Sequence, residues 1–127
     1  MAKVLRPEVH GILDYGLAFF FLLAPSIFSF PDNAATLSYI VGAVYIGTSL
    51  VTRYPLGVWK LIPFPTHGVL ETMMAIGWIA SPWLFGFADH DAARNFFVIA
   101  GVALLGVVAL TDYRSKSTAA AARMRHA

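Results

Sequence analysis

His10 and Asp14 lie four residues apart, and the same spacing returns in His67 and Glu71. A separation of four puts two side chains on one face of a helix. Two imidazoles and two carboxylates brought together make a ligand set for zinc, iron or manganese. Two facing histidines alone can instead ligate a haem. His10 and His67 are therefore the haem candidates, and His10, Asp14, His67 and Glu71 the metal candidates. The plainer alternative is structural packing. Each histidine then hydrogen-bonds the acid one turn on or a nearby backbone group, and each acid sits near a helix N-terminus, where negative charge is favoured.

Other chemistries are poorly served. The chain has no cysteine, which excludes disulfides, thiolate metal sites, iron–sulfur clusters and a cysteine nucleophile. It carries no catalytic triad, phosphate loop or dinucleotide fingerprint. No catalytic residue is assigned, and an enzyme is the disfavoured class.

The elements that must hold these residues are apolar. Of 127 residues, 58% are hydrophobic and 13% charged, against roughly 25% charged in a soluble domain. Too few charges remain to coat a water-soluble protein of this size, whereas a lipid-facing surface needs none. Four apolar stretches, at about 9–30, 34–51, 66–87 and 92–110, each approach the roughly 20 residues of a membrane-crossing helix. The short links 30–33 and 87–91 join them in pairs. The middle link holds Pro55, Pro63 and Pro65, with Trp59 beside Lys60, a composition suited to the headgroup layer.

The second pair repeats the first. At an offset of 57, His10, Gly11, Leu13 and Asp14 fall on His67, Gly68, Leu70 and Glu71, and Pro25, Phe28 and Phe30 fall on Pro82, Phe85 and Phe87. At an offset of 59, Gly42, Gly47, Thr52 and Tyr54 fall on Gly101, Gly106, Thr111 and Tyr113. The expected fold is all-α, an integral membrane four-helix bundle of two tandem helical-hairpin repeats. The expected division of the single transmembrane domain 1–127 is repeat 1 at about 7–54, an interfacial linker at 55–65, repeat 2 at about 66–113 and a polar tail at 114–127. Pro25 and Pro82 are expected to bend or end their helices. Trp78 and Trp83 are expected in an interfacial aromatic belt, and the four paired glycines of the even-numbered spans at helix–helix contacts.

Ser81-Pro82-Trp83, near the end of the third stretch, resembles the signature of the SPW repeat family, small prokaryotic membrane proteins. The resemblance implies a repeat made of a pair of transmembrane helices, with the motif in the first. The first repeat keeps only the proline, in Ala24-Pro25-Ser26.

Eight of the nine Lys and Arg residues fall on one side of the expected spans, and only Arg94 on the other. The positive-inside rule then makes this a multi-pass protein of the cell (inner) membrane with both termini cytoplasmic. The same placement explains the basic character without nucleic acid, since no basic stripe exists. The expected surroundings are the lipid bilayer, with a homo-oligomer or another membrane protein as partner. Three functions stay open: a structural or assembly partner, a metal- or haem-binding protein, and an oligomeric transport unit for ions or small solutes.

Overall fold

A computed structural model describes residues 4–113. The expected tail at 114–127, and the basic residues within it, lie outside the described residues. Four helices carry the fold: α1 (Pro7–Phe28), α2 (Asp32–Leu50), α3 (Phe64–Leu84) and α4 (Asp91–Leu110). Their lengths of 22, 19, 21 and 20 residues correspond to about 28–33 Å of rise.

Prolines set the helix starts. Pro7 and Pro65 occupy the first turns of α1 and α3, where the missing N–H has no intrahelical partner to lose. This is why α3 starts at Phe64, inside the expected linker. α1 ends at Ser29 in the left-handed conformation, and Gly86 takes the left-handed conformation just past α3. Pro25 and Pro82 stand within the last turns of α1 and α3. Pro25 offers no N–H to the Phe21 carbonyl one turn back. The buried Ser38 hydroxyl of α2 donates to that carbonyl instead, at 2.5 Å.

α1 packs along α2, and α3 along α4. Gly42 and Gly101 allow the close approach. An added Cβ would stand 2.6 Å from Leu22 in one hairpin and 2.7 Å from the Ala75 carbonyl in the other. Gly47 and Gly106 depart from expectation, because a Cβ on either would meet nothing within 4 Å; they face outward.

The hairpins are tied at one end by two short backbone pairings. In the linker, β1 (Thr52–Arg53) pairs in parallel with β2 (Ile62–Pro63). On the opposite side Leu5 bridges Thr111 in the same sense. Each pairing therefore joins the start of an odd-numbered helix to the end of an even-numbered one. The other half of the interior is aromatic: Phe21, Phe30, Trp78, Phe87 and Phe97 are buried together. Trp78 thus belongs to the core, 4.6 Å from the Phe21 ring centroid, and not to an interfacial belt. Trp83 is 62% exposed.

The exterior is apolar on every helix, with Phe19 and Leu23 on α1, Ile40 and Val44 on α2, Val69 and Met73 on α3, and Ile99 and Val102 on α4 exposed. Among the described residues two helices, Pro7–Phe28 and Asp91–Leu110, are long and apolar enough by themselves to cross a membrane. α2 is diluted by hydroxyl and amide side chains, and α3 by His67, Glu71 and Thr72.

Candidate functional site

The helix face chosen by the i, i+4 spacing points inward on both α1 and α3. His10, Asp14, His67 and Glu71 are all fully buried, and one ligand atom from each lies within 4.8 Å of all the others. His10 Nε2 stands 2.8 Å from Glu71 Oε2 and 3.2 Å from Asp14 Oδ2. His67 Nε2 stands 2.8 Å from Asp14 Oδ2 and 2.7 Å from Glu71 Oε1. Each imidazole therefore meets both carboxylates, its own helix's and the other's.

The far side of each ring is held from the opposite hairpin. His10 Nδ1 lies 2.7 Å from Thr111 Oγ1, and His67 Nδ1 lies 2.7 Å from Thr52 Oγ1. Both threonine hydroxyls donate their single proton to the carbonyl one turn back, Thr111 to Val107 and Thr52 to Thr48, each at 2.6 Å. A hydroxyl with its proton committed can only accept. Proton counting thus assigns the hydrogen on both rings to Nδ1, donating to threonine. Nε2 of each ring then faces the two carboxylates, offering a lone pair when the ring is neutral and a second N–H when it is imidazolium.

Around the cluster the two halves differ at two pairs of positions. Tyr45 donates to Asp14 Oδ1 at 2.8 Å. The matching residue in the second repeat is Leu104, also buried, and the acid there is the longer Glu71. Glu71 uses one oxygen for each histidine. Asp14 uses one oxygen for both histidines and the other for the phenol.

Aromatic rings close the end of the cluster nearest the backbone pairings. Tyr54 stacks on Phe64 at 5.3 Å and lies 5.6 Å from the His67 ring, while Tyr113 lies 5.6 Å from the His10 ring. Gly11 and Gly68, the neighbours of the two histidines, make room for these rings. A Cβ at Gly11 would stand 2.7 Å from the Tyr54 ring, and one at Gly68 would stand 2.7 Å from the Tyr113 ring. Burial pushes both phenols above the ordinary tyrosine range. The Ser49 hydroxyl pulls Tyr54 back and the Thr111 hydroxyl pulls Tyr113 back, while the charges of Asp14 and Glu71 push both further up.

The structure thus brings all four expected residues together. Sequence reasoning assigned no role to Thr52, Thr111 or Tyr45. The threonines carried a signal, since the Gly-x4-Gly-x4-Thr-x-Tyr pattern occurs twice. Tyr45 carried none, because the second repeat has leucine there. Ser81 of the Ser-Pro-Trp triplet donates to the Gly77 carbonyl at 2.6 Å, a bond internal to its helix.

An all-helical bundle with an apolar exterior, two helices long and apolar enough to cross a membrane and one buried polar cluster points to the class of helical membrane proteins. Residues 8–111 match the SPW repeat domain, and the chain belongs to that family. No curated protein and no solved structure matches it.

Proposed function

We propose that this SPW repeat protein is a four-span, inner-membrane, metal-holding protein whose two hairpins are locked together by one divalent transition-metal ion. His10, Asp14, His67 and Glu71 are its proposed ligands. The observation that carries the reading is the proton count. With Nδ1–H of each ring directed at a threonine, both Nε2 atoms and both carboxylates converge on one buried point, where positive charge, a metal ion or a proton on each ring, balances the two carboxylates. Two carboxylates also balance the charge of one divalent ion.

Two imidazoles and two carboxylates suit zinc, and a set of four protein ligands is the closed, structural kind of site. Zinc bonds of about 2.0–2.1 Å in a tetrahedron would set the ligand atoms roughly 3.3 Å apart. The His–carboxylate separations of 2.7–3.2 Å fall just below that value, and one ligand atom from each of the four residues lies within 4.8 Å of the others, so binding would need Glu71 to commit one oxygen and the set to adjust around the ion. The threonines fill the role of the outer partners that orient metal-bound histidines. Haem fits less well, because the two carboxylates fill the space between the Nε2 atoms that a macrocycle would need.

One observation favours a second reading, the structural or assembly role without a metal. Separations of 2.7–2.8 Å are charge-assisted hydrogen-bond lengths. Two protons can take the place of the ion, making both rings imidazolium and the cluster neutral. A transport unit gains less support, since aromatic packing fills the interior beyond the cluster.

Four spans, tandem hairpins and the division at about 7–54 and 66–113 are supported by the apolar exterior of α2 and α3 and by the paired sites. Cytoplasmic termini are supported by Arg6, Arg53 and Lys60 at the cluster end and Arg94 at the other.

The test is elemental analysis with an absorption spectrum of protein purified without added metal, for the native chain and for His10→Ala with His67→Ala. One metal ion per chain, lost in the double variant, is expected. Metal-free native protein with an unchanged melting temperature after chelator treatment would leave the two-proton lock standing and sink the metal.

A further inference from the structure

The seam between α1 and α4 is not closed. Two cavities of about 420 and 460 Å³ open along it. They share Leu17, Phe20 and Ala103 and so form one trough. On α4 its lining runs from Ala92 to Val107, about 22 Å of helix rise. That exceeds the roughly 15 Å of one leaflet's share of the hydrocarbon core, so it suits an extended chain and not a short ligand. The walls are apolar. Asp14 and Tyr45 line the inner end, and Asn95 the outer one.

Two small residues open the trough beside the cluster. Both Gly16 and Ala103 are exposed, and a Cβ on Gly16 would meet nothing within 4 Å. At the matching places of the α2–α3 seam the repeat carries Met73 and Val44. Neither Arg94 nor Asp91 lines the cavities, but Arg94 donates to Asn95 of the outer end at 3.2 Å and to the Ala88 carbonyl at 3.1 Å, and stands 3.3 Å from Asp91, whose side chain is 82% exposed. A cation and an exposed carboxylate side by side complement a headgroup bearing both a phosphate and an ammonium.

We infer that the α1–α4 trough is a docking site for one phospholipid with a zwitterionic headgroup. Its acyl chain lies along Phe20 and Ala103 toward the cluster, and its headgroup engages Arg94 and Asp91. The inference rests on the membrane environment and not on the metal.

Native mass spectrometry of protein extracted from vesicles of equal phosphatidylethanolamine and phosphatidylglycerol tests it. One phosphatidylethanolamine retained per chain is expected. Gly16→Met with Ala103→Val copies the other seam, adds bulk in open space, and should weaken retention about tenfold with the melting temperature and metal content unchanged. Arg94→Gln should keep a bound lipid and lose the preference for phosphatidylethanolamine. Equal retention by the filled variant, a native preference for phosphatidylglycerol, or a second copy of the chain in place of lipid would each overturn the assignment.

Discussion

His10 Nδ1 lies 2.7 Å from Thr111 Oγ1, although 101 residues separate them in the chain. His67 and Thr52 make the same contact in the opposite direction. Each hairpin thus supplies the residue that orients the other hairpin's histidine. Backbone pairing at Leu5–Thr111 and Thr52–Ile62 delivers each threonine to its place. The cluster and the hairpin interface are therefore one structure.

Thr52→Val and Thr111→Val keep the shape and remove the acceptor. Each should leave a buried Nδ1–H unpaired and cost about 1–3 kcal/mol of stability. Each should also weaken metal binding by about 10–100-fold. Thr→Ser at the same positions keeps the acceptor and should recover most of both losses. Thermal unfolding and zinc titration in detergent measure the two effects. A valine variant with native zinc affinity would dismiss the threonines as orienting groups.

Asp14 and Tyr45 should show coupling that reveals the repeat. Asp14→Glu alone pushes the carboxylate into the Tyr45 hydroxyl, which donates to Asp14 at 2.8 Å. Adding Tyr45→Leu reproduces the Glu71–Leu104 pairing of the second half. The double variant should be more stable than Asp14→Glu by about 0.5–3 kcal/mol. Additive losses in a double-mutant cycle would argue against equivalent halves.

Ser38→Ala tests how Pro25 is tolerated. The variant strips the donor from the buried Phe21 carbonyl and should cost about 1–3 kcal/mol. Replacing Pro25 by alanine in the same background restores an N–H for that carbonyl and should recover part of the loss. No recovery would mean that Ser38 acts through packing.

Alkaline titration reports on the aromatic lid. Burial raises Tyr54 and Tyr113 above the ordinary value of 10.0, so the folded state holds their protons longer than the unfolded state does. Their stabilising effect is complete below pH 10.0 and declines as pH rises above it. Three fewer tyrosines than the total should ionise before unfolding, because the fully buried Tyr45, whose hydroxyl donates to Asp14, is held back along with Tyr54 and Tyr113; ultraviolet difference absorbance reads the number. Ionisation of all five tyrosines in one step near the ordinary value, with the fold intact, would contradict the burial.

Hydropathy and composition made the helices legible, because lipid-facing and core-facing residues are alike apolar and only the connections are polar. The i, i+4 spacing made each histidine–carboxylate pair legible, and its recurrence brought the pairs into one hypothesis. Trp78 was misplaced, since indole composition reads alike in a core and at an interface; contact with Phe21 and Tyr45 decides it. Gly47 and Gly106 were misplaced because spacing marks a helix face without saying what that face meets.

The sequence by itself carried four apolar helices, a recurring pattern of matched residues and the four residues worth watching. These are local or periodic properties, written within one helix or between aligned copies. The tertiary structure alone decided that both imidazoles meet both carboxylates and that threonines from opposite hairpins fix their Nδ1 protons. It alone decided that a trough runs from the exterior to Asp14. Those facts depend on how two hairpins dock, and docking is set by packing and hydrogen bonds between residues far apart in the chain.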